Sequence, residues 1–328
     1  MKDWLARSAP LPVPISTFNR TDNPDWEDMS PIFDELLKIS PRWRSFRICS
    51  PVPLAFLRRM GEYEKESLEE VDLGSDLSRL YDPGTTLSFG TTPRLRKLRM
   101  VGNSPCSIHW AQLTDLQLYL DASSPSELSL VILARCSNLV NASIFIYSPA
   151  ALPELETDIF TLHQLSTLSF DLSLAPGNCM LLLHLRVPAL KHLRLKLDWD
   201  MEWTDAQFTA FQLRSPNITQ LEISFSELTS DDLRTALAHA PSLTHLSVIN
   251  CSRCIGDGLT FALLYRDGFT PLVPSLRNLV FDFCGNGLSE IILASMIMSR
   301  WRATPSLSSR PAVARWTYLR FFWGALEF

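Results

Sequence analysis

The chain repeats one short pattern at a nearly constant step: an apolar residue, two others, an apolar residue, one other, and a third apolar residue. It reads Leu68-Val71-Leu73, Leu95-Leu98-Met100, Leu113-Leu116-Leu118, Leu139-Ala142-Ile144 and Leu165-Leu168-Phe170. It continues as Leu190-Leu193-Leu195, Ile218-Leu221-Ile223, Leu243-Leu246-Val248 and Leu276-Leu279-Phe281, and an aromatic-led version stands at Trp43-Phe46-Ile48. Successive starts lie 25, 27, 18, 26, 26, 25, 28, 25 and 33 residues apart. Seven of these nine steps fall between 25 and 28, and a period of that length marks a stacked repeat array.

The second and third apolar residues are two apart, so on a strand they share one face. A proline often stands just before the pattern, as in TPRL, VPAL, SPNI, APSL and VPSL. There it ends the preceding helix without removing a ladder hydrogen bond. The intervening stretches carry helical patterns: SPIFDELLKI, PLAFLRRM, LSLVILARC, AQFTAFQL, DDLRTALAHA, GLTFALLY and LSEIILASMIMSRW. Start signals precede several of them. Ser124-Pro125-Ser126-Glu127 offers an N-cap, a proline at the first helical position and a capping-box acid. Thr204 with Gln207 and Thr229 with Asp232 follow the same logic. A strand and a helix in each block of ~26 residues predict an α/β stack, with parallel strands on its concave side and helices or loops outside.

The units resemble leucine-rich repeats, whose longer form is LxxLxLxx(N/C)xL. The ninth place is filled by Asn103, Cys251 and Cys284, and departs from the form at Asp121, Tyr147, Ser173, Asp198 and Ser226. The resemblance implies a solenoid, or horseshoe, of about ten units over 42–300. Residues 1–41 then serve as an N-terminal cap and linker, because an open end would expose core. Residues 301–328 are an atypical tail or last partial repeat, with Trp316, Tyr318, Leu319 and Phe321 available for a final strand.

Composition narrows the function classes. Thirty basic against thirty-five acidic residues give a net charge of −5, without the basic stripe of a nucleic-acid binder. No stretch reaches the roughly 18 uninterrupted apolar residues of a membrane-spanning helix. The start, MKDWLARSAPLPVPIS, lacks the apolar core of a secretory signal. Seven cysteines spread through 328 residues do not form a disulfide scaffold, so a reducing cytoplasm or nucleus is the expected compartment.

Motifs for chemistry are sparse. Cys251-Ser252-Arg253-Cys254 is the only CxxC, and no second pair or suitably spaced histidines complete a tetrahedral zinc site, so both cysteines are expected to be structural. Asp198, Asp200 and Glu202 open like a calcium loop, but Trp203 stands where the sharp-turn glycine belongs, which leaves an acidic loop entering a helix. Histidines 109, 163, 184, 192, 239 and 245 lie in different stretches, and no HExxH, GxSxG, P-loop or dinucleotide motif occurs. No catalytic residue, metal or cofactor is expected.

The positions flanking the paired apolar residues face the opposite way. They include Glu70, Asp72, Lys97, Arg99, Asp115, Gln117, Tyr119, Asn141, Ser143 and Phe145. Later come Thr167, Ser169, Asp171, His192, Arg194, Lys196, Gln220, Glu222, His245, Ser247 and Asn278. Among these, Lys97, Arg99, Gln117, Tyr119, Phe145, His192, Arg194, Lys196, Glu222 and His245 are the candidate partner-binding residues. Mixed charge with aromatic residues suits a protein or extended peptide better than a phosphate backbone.

A finer resemblance rests on Trp4-Leu5 with Arg7-Ser8, SPRWRSFRI at 40–48, WAQLTDLQL at 110–118, ILARCSNL at 132–139 and SMIMSRW near the end. These stretches look like the repeat regions of fungal F-box proteins. That resemblance implies a non-catalytic substrate receptor of a cullin-type ubiquitin ligase, with a protein held on the concave face. No LPxE-type opening precedes residue 40, so docking to a Skp1-type adaptor is implied only where an F-box lies upstream. The alternative is a free-standing repeat scaffold or regulator, an inhibitor or a GTPase-activating protein, for which Arg99 or Arg194 would supply the exposed arginine. A metalloenzyme or hydrolase is the third class.

Overall fold

The computed structural model describes residues 7–17, 26–48, 54–74, 87–89, 91–101, 106–120, 128–147, 159–172, 180–197, 203–251, 253–266, 268–283, 288–301 and 313–323. The chain divides into two compact units, Met1–Phe145 and Ile146–Phe328. Both are built from parallel strands alternating with helices or short turns, and the protein is of the α/β class.

The first unit contains strands β1 (Val13–Thr17), β2 (Trp43–Ile48), β3 (Glu70–Asp72), β4 (Leu87–Ser88), β5 (Lys97–Val101), β6 (Cys106–Ser107), β7 (Asp115–Leu120) and β8 (Asn141–Ile146). Its helices are α1 (Trp26–Lys38), α2 (Leu54–Met60) and α3 (Leu128–Arg135). The sheet order is β1-β2-β3-β5-β7-β8, and β4 pairs with β6 apart from it. Pairing follows the sequence repeat: Phe46 stands opposite Val71, Val71 opposite Leu98 and Leu98 opposite Leu116. All four are buried, so each strand places the same two apolar positions of its repeat on the inner face.

The second unit contains β9 (Phe160–Thr161), β10 (Thr167–Asp171), β11 (Leu185–Arg186), β12 (His192–Lys196), β13 (Gln220–Ser224), β14 (His245–Ile249), β15 (Asn278–Phe283) and β16 (Tyr318–Trp323). Between them lie α4 (Asp205–Arg214), α5 (Ser230–Ala238), α6 (Asp257–Leu263) and α7 (Glu290–Trp301), each packed on the next. The sheet order is β10-β12-β13-β14-β15-β16, and β9 pairs with β11. Leu168, Leu193, Leu221, Leu246 and Leu279 form one register row, and Phe170, Leu195, Ile223, Val248 and Phe281 form the other. Leu319 and Phe321 of β16 extend both rows. None of the helices described is long and apolar enough to cross a membrane.

The prolines match the sequence expectation only in part: Pro216 and Pro241 follow α4 and α5 closely, whereas others stand where no α-helix has just ended. Pro93, Pro188, Pro241 and Pro274 each sit second in a turn closed by the N–H of the leading leucine: Leu95 to Thr92 O, Leu190 to Val187 O, Leu243 to Ala240 O and Leu276 to Val273 O. Proline's fixed φ suits that position, where its missing N–H is not needed. Among the described residues, the short strands β4 and β11 are the elements that stand directly before Pro93 and Pro188, so there the residue sets the entry into the next strand rather than ending a helix.

Helix starts divide the same way. At Thr229 the full capping box forms: its hydroxyl accepts from Asp232 N at 3.2 Å, and its own N–H donates to Asp232 Oδ2 at 2.8 Å. Thr204 is also an N-cap residue but makes no side-chain cap bond, which corrects the expectation. Its ψ is 104 where that of Thr229 is 167, and Asp205 is engaged by Trp203 Nε1 at 2.8 Å. The cap at Ser124–Glu127, the acidic loop at 198–202 and ninth-place residues Asn103, Asp121, Ser173, Asp198 and Cys284 lie outside the described residues.

Where short turns replace regular helices, carbonyl groups lose their helical partners and side chains supply the donors. Arg214 donates to the carbonyls of Leu182, Leu183 and Leu185 at 3.0–3.1 Å. Asn138 reaches Ala111 O, and Asn217 reaches Pro188 O. Lys65, fully buried, donates to the carbonyls of Met60, Tyr63 and Phe89.

Burial pushes the Lys65 amine down to about 8 from its ordinary 10.5. A group whose pKa falls on folding contributes stability that is present above its unfolded pKa and is lost as pH falls through its folded pKa. Between pH ~8 and ~10.5 the unfolded chain therefore holds the extra proton. Wild-type protein should gain stability across that window relative to Lys65→Met, by roughly 1–3 kcal/mol in urea titrations. Parallel pH profiles of the two proteins would refute this.

Candidate protein-binding face

Alternate strand residues bury one face of each sheet and leave the other accessible, as in the pattern of β7, where Leu116, Leu118 and Leu120 are buried and Asp115, Gln117 and Tyr119 are partly exposed. In the first unit this accessible face carries a cleft of about 260 Å³. Its polar lining is Arg47, Glu70, Asp72, Lys97, Arg99, Asp115, Gln117, Asn141 and Ser143. Strand pairing assembles it: Arg47, Asp72, Arg99 and Gln117 form one register row, and Glu70, Lys97 and Asp115 form another.

Charges alternate along both rows. Arg47 Nε lies 3.2 Å from Asp72 Oδ2, and its Nη2 lies 3.7 Å from Glu70 Oε1. Arg99 Nη1 approaches the same Asp72 oxygen at 3.6 Å. Asp72 Oδ1 accepts the Gly74 N–H at 2.9 Å, in a turn where glycine takes a φ of 74. A Cβ on Gly74 would sit 2.8 Å from Ile48 O, so that turn depends on glycine. Asp115 accepts from Thr114 Oγ1 and from Asn141 Nδ2, both at 2.7 Å.

Aromatic residues border the cleft. Tyr119 and Phe145 stack with centroids 4.5 Å apart and rings 6° from parallel. The Arg99 guanidinium lies over the Tyr119 ring at 5.0 Å, and Gln117 Nε2 donates to the Tyr119 hydroxyl at 2.7 Å. Five of the candidate residues, Lys97, Arg99, Gln117, Tyr119 and Phe145, are thus gathered on one patch.

The other five lie on the accessible face of the second unit. Arg194 pairs with Glu222 at 2.9 Å, and Lys196 pairs with Asp171 at 3.0 Å and lies 5.6 Å from the Phe225 ring. His192, Gln220 and His245 share a register row. Burial first, and the charge of His192 second, hold the His245 imidazole below its usual value. Phe225 and Asn250 stand seven residues after Ile218 and Leu243, with φ of 55 and 53. The two strands therefore end in the same left-handed turn, which asparagine tolerates more readily than phenylalanine.

Arg47 and Arg320 are charged residues on the accessible strand faces that fall outside the set read from the sequence. Arg47 sits between Phe46 and Ile48 in the aromatic-led unit, and Arg320 sits between Leu319 and Phe321 in the tail, stacked on Phe322 at 4.1 Å. The same alternation that marked Lys97 and Arg99 would have identified both.

The CxxC cysteines are buried. Cys251 Sγ lies 3.2 Å from Ser226 Oγ and donates to Ile249 O at 3.3 Å, so ninth-place residues of consecutive repeats meet each other. Cys254 donates to Cys251 O at 3.4 Å, and its hydrogen bond with Cys251, then its burial, push its thiol up. Burial likewise pushes Cys136 up to about 12. Among the described residues, no group of three or more His, Cys, Asp or Glu could hold a metal ion.

No protein-family model matches the chain, and no curated protein matches it significantly.

Proposed function

We propose that the chain is a leucine-rich-repeat solenoid that binds a protein partner on its accessible sheet face and performs no chemistry itself. In this reading it is the substrate-recognition part of an F-box-type ubiquitin ligase, working in the cytoplasm or nucleus. The observation that carries the binding role is the cleft face of the first unit, where alternating charges and an aromatic stack lie on neighbouring strands. One parallel strand per sequence repeat, with the repeat's paired apolar residues buried, supports the leucine-rich-repeat reading. Balanced charge beside aromatic residues matches the composition of protein interfaces, and gives a phosphate backbone little to hold. The ligase role draws its support from the sequence resemblance to fungal F-box proteins.

A pulldown with a Skp1-type adaptor tests that role. Capture by this chain, or by a longer product of its gene, is the expected result. Failure of every such form to bind the adaptor removes the ligase assignment and leaves the binding role standing.

A further inference from the structure

We infer that the cleft of the first unit receives a carboxylate of an extended acidic peptide segment, docked against Lys97 and Arg99 beside the Tyr119–Phe145 stack. This rests on the reading of the accessible face as a protein-binding surface, and specifies the chemistry of what it holds.

The formal charges of the cleft cancel, with Arg47, Lys97 and Arg99 against Glu70, Asp72 and Asp115. The hydrogen-bonding capacity does not. Asp72 is taken by the Gly74 N–H and by two guanidinium groups, and Asp115 by Thr114 and Asn141. Arg47 spans Glu70 and Asp72. On the cation side, the Lys97 amine has no ion-pair or hydrogen-bond partner among the described residues. Arg99 has only its 3.6 Å ion pair and its ring contact, and its buried Nε has no acceptor. Glu70 keeps acceptor capacity, since Arg47 meets it only at 3.7 Å, but at Lys97 and Arg99 themselves what remains unspent is donor capacity, which selects an acceptor-rich anion.

Geometry narrows the anion. A guanidinium laid on a ring keeps in-plane N–H groups at its edge, and with Nη1 turned to Asp72 and Nε buried, Arg99 offers part of that edge, to which a carboxylate can bond. Lys97 and Arg99 are two apart on β5 and so project to the same side. A phosphate would bring a second negative charge among Glu70, Asp72 and Asp115, which disfavours it here. The volume of about 260 Å³ lies below the usual ~300–1,000 Å³ of small-molecule pockets and suits one or two side chains. Among the candidate residues of the second unit, Arg194 is held by Glu222 and Lys196 by Asp171.

Fluorescence anisotropy on the whole chain tests the assignment with a labelled peptide of alternating glutamate and serine. Counterpart peptides carry glutamine or phosphoserine in place of each glutamate. The glutamate peptide should bind about tenfold more tightly than either counterpart. Arg99→Gln and Lys97→Gln should each weaken it by about tenfold, while Lys38→Gln, at the exposed end of α1, leaves it unchanged. Should Arg99→Gln prove unfolded by circular dichroism, the exposed Lys97→Gln decides. Equal binding of the glutamate and glutamine peptides, tighter binding of the phosphoserine peptide, or equal loss in Lys38→Gln overturns the assignment. Adaptor capture is read separately: glutamate-peptide selectivity without it keeps this site and removes the ligase role. Adaptor capture without selectivity does the reverse.

Discussion

Leu246→Asp should destabilise the second unit by about 5 kcal/mol, enough to unfold it under mild conditions. Leu246 is 1 % exposed and stands in register between Leu221 and Leu279. Losing the apolar side chain forfeits roughly 1.5–3 kcal/mol, and the unpaired carboxylate adds several more. The introduced acid would have its folded pKa raised by burial, so the penalty should grow as pH climbs above ~4 and shrink in acid. Ser247→Asp, one residue on and on the accessible face, should shift stability by no more than about 0.5 kcal/mol. Because stacked elements contact chiefly their neighbours, new protease cuts should cluster between β13 and β15. Urea melts and limited proteolysis report all of this. Unchanged melting of Leu246→Asp would show that the register is wrong.

Arg300→Ala should lower stability by about 4 kcal/mol. Arg300 is the largest cation of the interior, with no exposed surface. Its guanidinium donates to the carbonyls of Leu263, Leu272, Val273 and Leu276 at 2.8–3.3 Å and lies 4.8 Å from the Trp316 ring centre. Burial pushes its pKa down to about 10, so it remains charged at neutral pH. Alanine would leave four acceptors without their donor in a site that water enters poorly, each costing about 1–3 kcal/mol before relaxation. Arg300→Lys keeps the charge but has three rotatable donors instead of a planar fork, so it should recover only part of the loss. Near-UV circular dichroism of Trp316 should change in Arg300→Ala. A loss below about 1 kcal/mol would mean that these carbonyls find other partners.

The strands and their register were legible because each repeat states them twice, in the spacing of its apolar residues and in the turn before them. Val71, Leu98 and Leu116 could be placed on one row from the alignment of repeats alone, and the helical stretches from GLTFALLY to LSEIILASMIMSRW became α6 and α7. Local chemistry was only half legible. Thr229 and Thr204 carry similar signals, and the difference lies in a backbone angle that the residue types do not fix. The cations that cap carbonyl groups were not legible at all. Lys65, Arg214 and Arg300 look like surface residues in sequence, and their purpose depends on carbonyls orphaned by turns in other parts of the chain. The same holds for the cleft. Alternation placed Lys97 and Arg99 on the accessible face, but which acids were already occupied could be read only from side-chain geometry.

The zero-offset alignment of β3, β5 and β7 sets a ruler for whatever lies across them. Neighbouring strands present equivalent side chains every ~4.8 Å, whereas an extended visitor running crosswise turns a side chain toward the wall every ~6.8 Å. The two pitches come back into step after about 14 Å, three strand spacings against two contacts. A crosswise ligand can therefore be matched closely over only a few strands at a time, and discrimination must be concentrated in short segments such as the one framed by Asp72, Arg99 and Gln117.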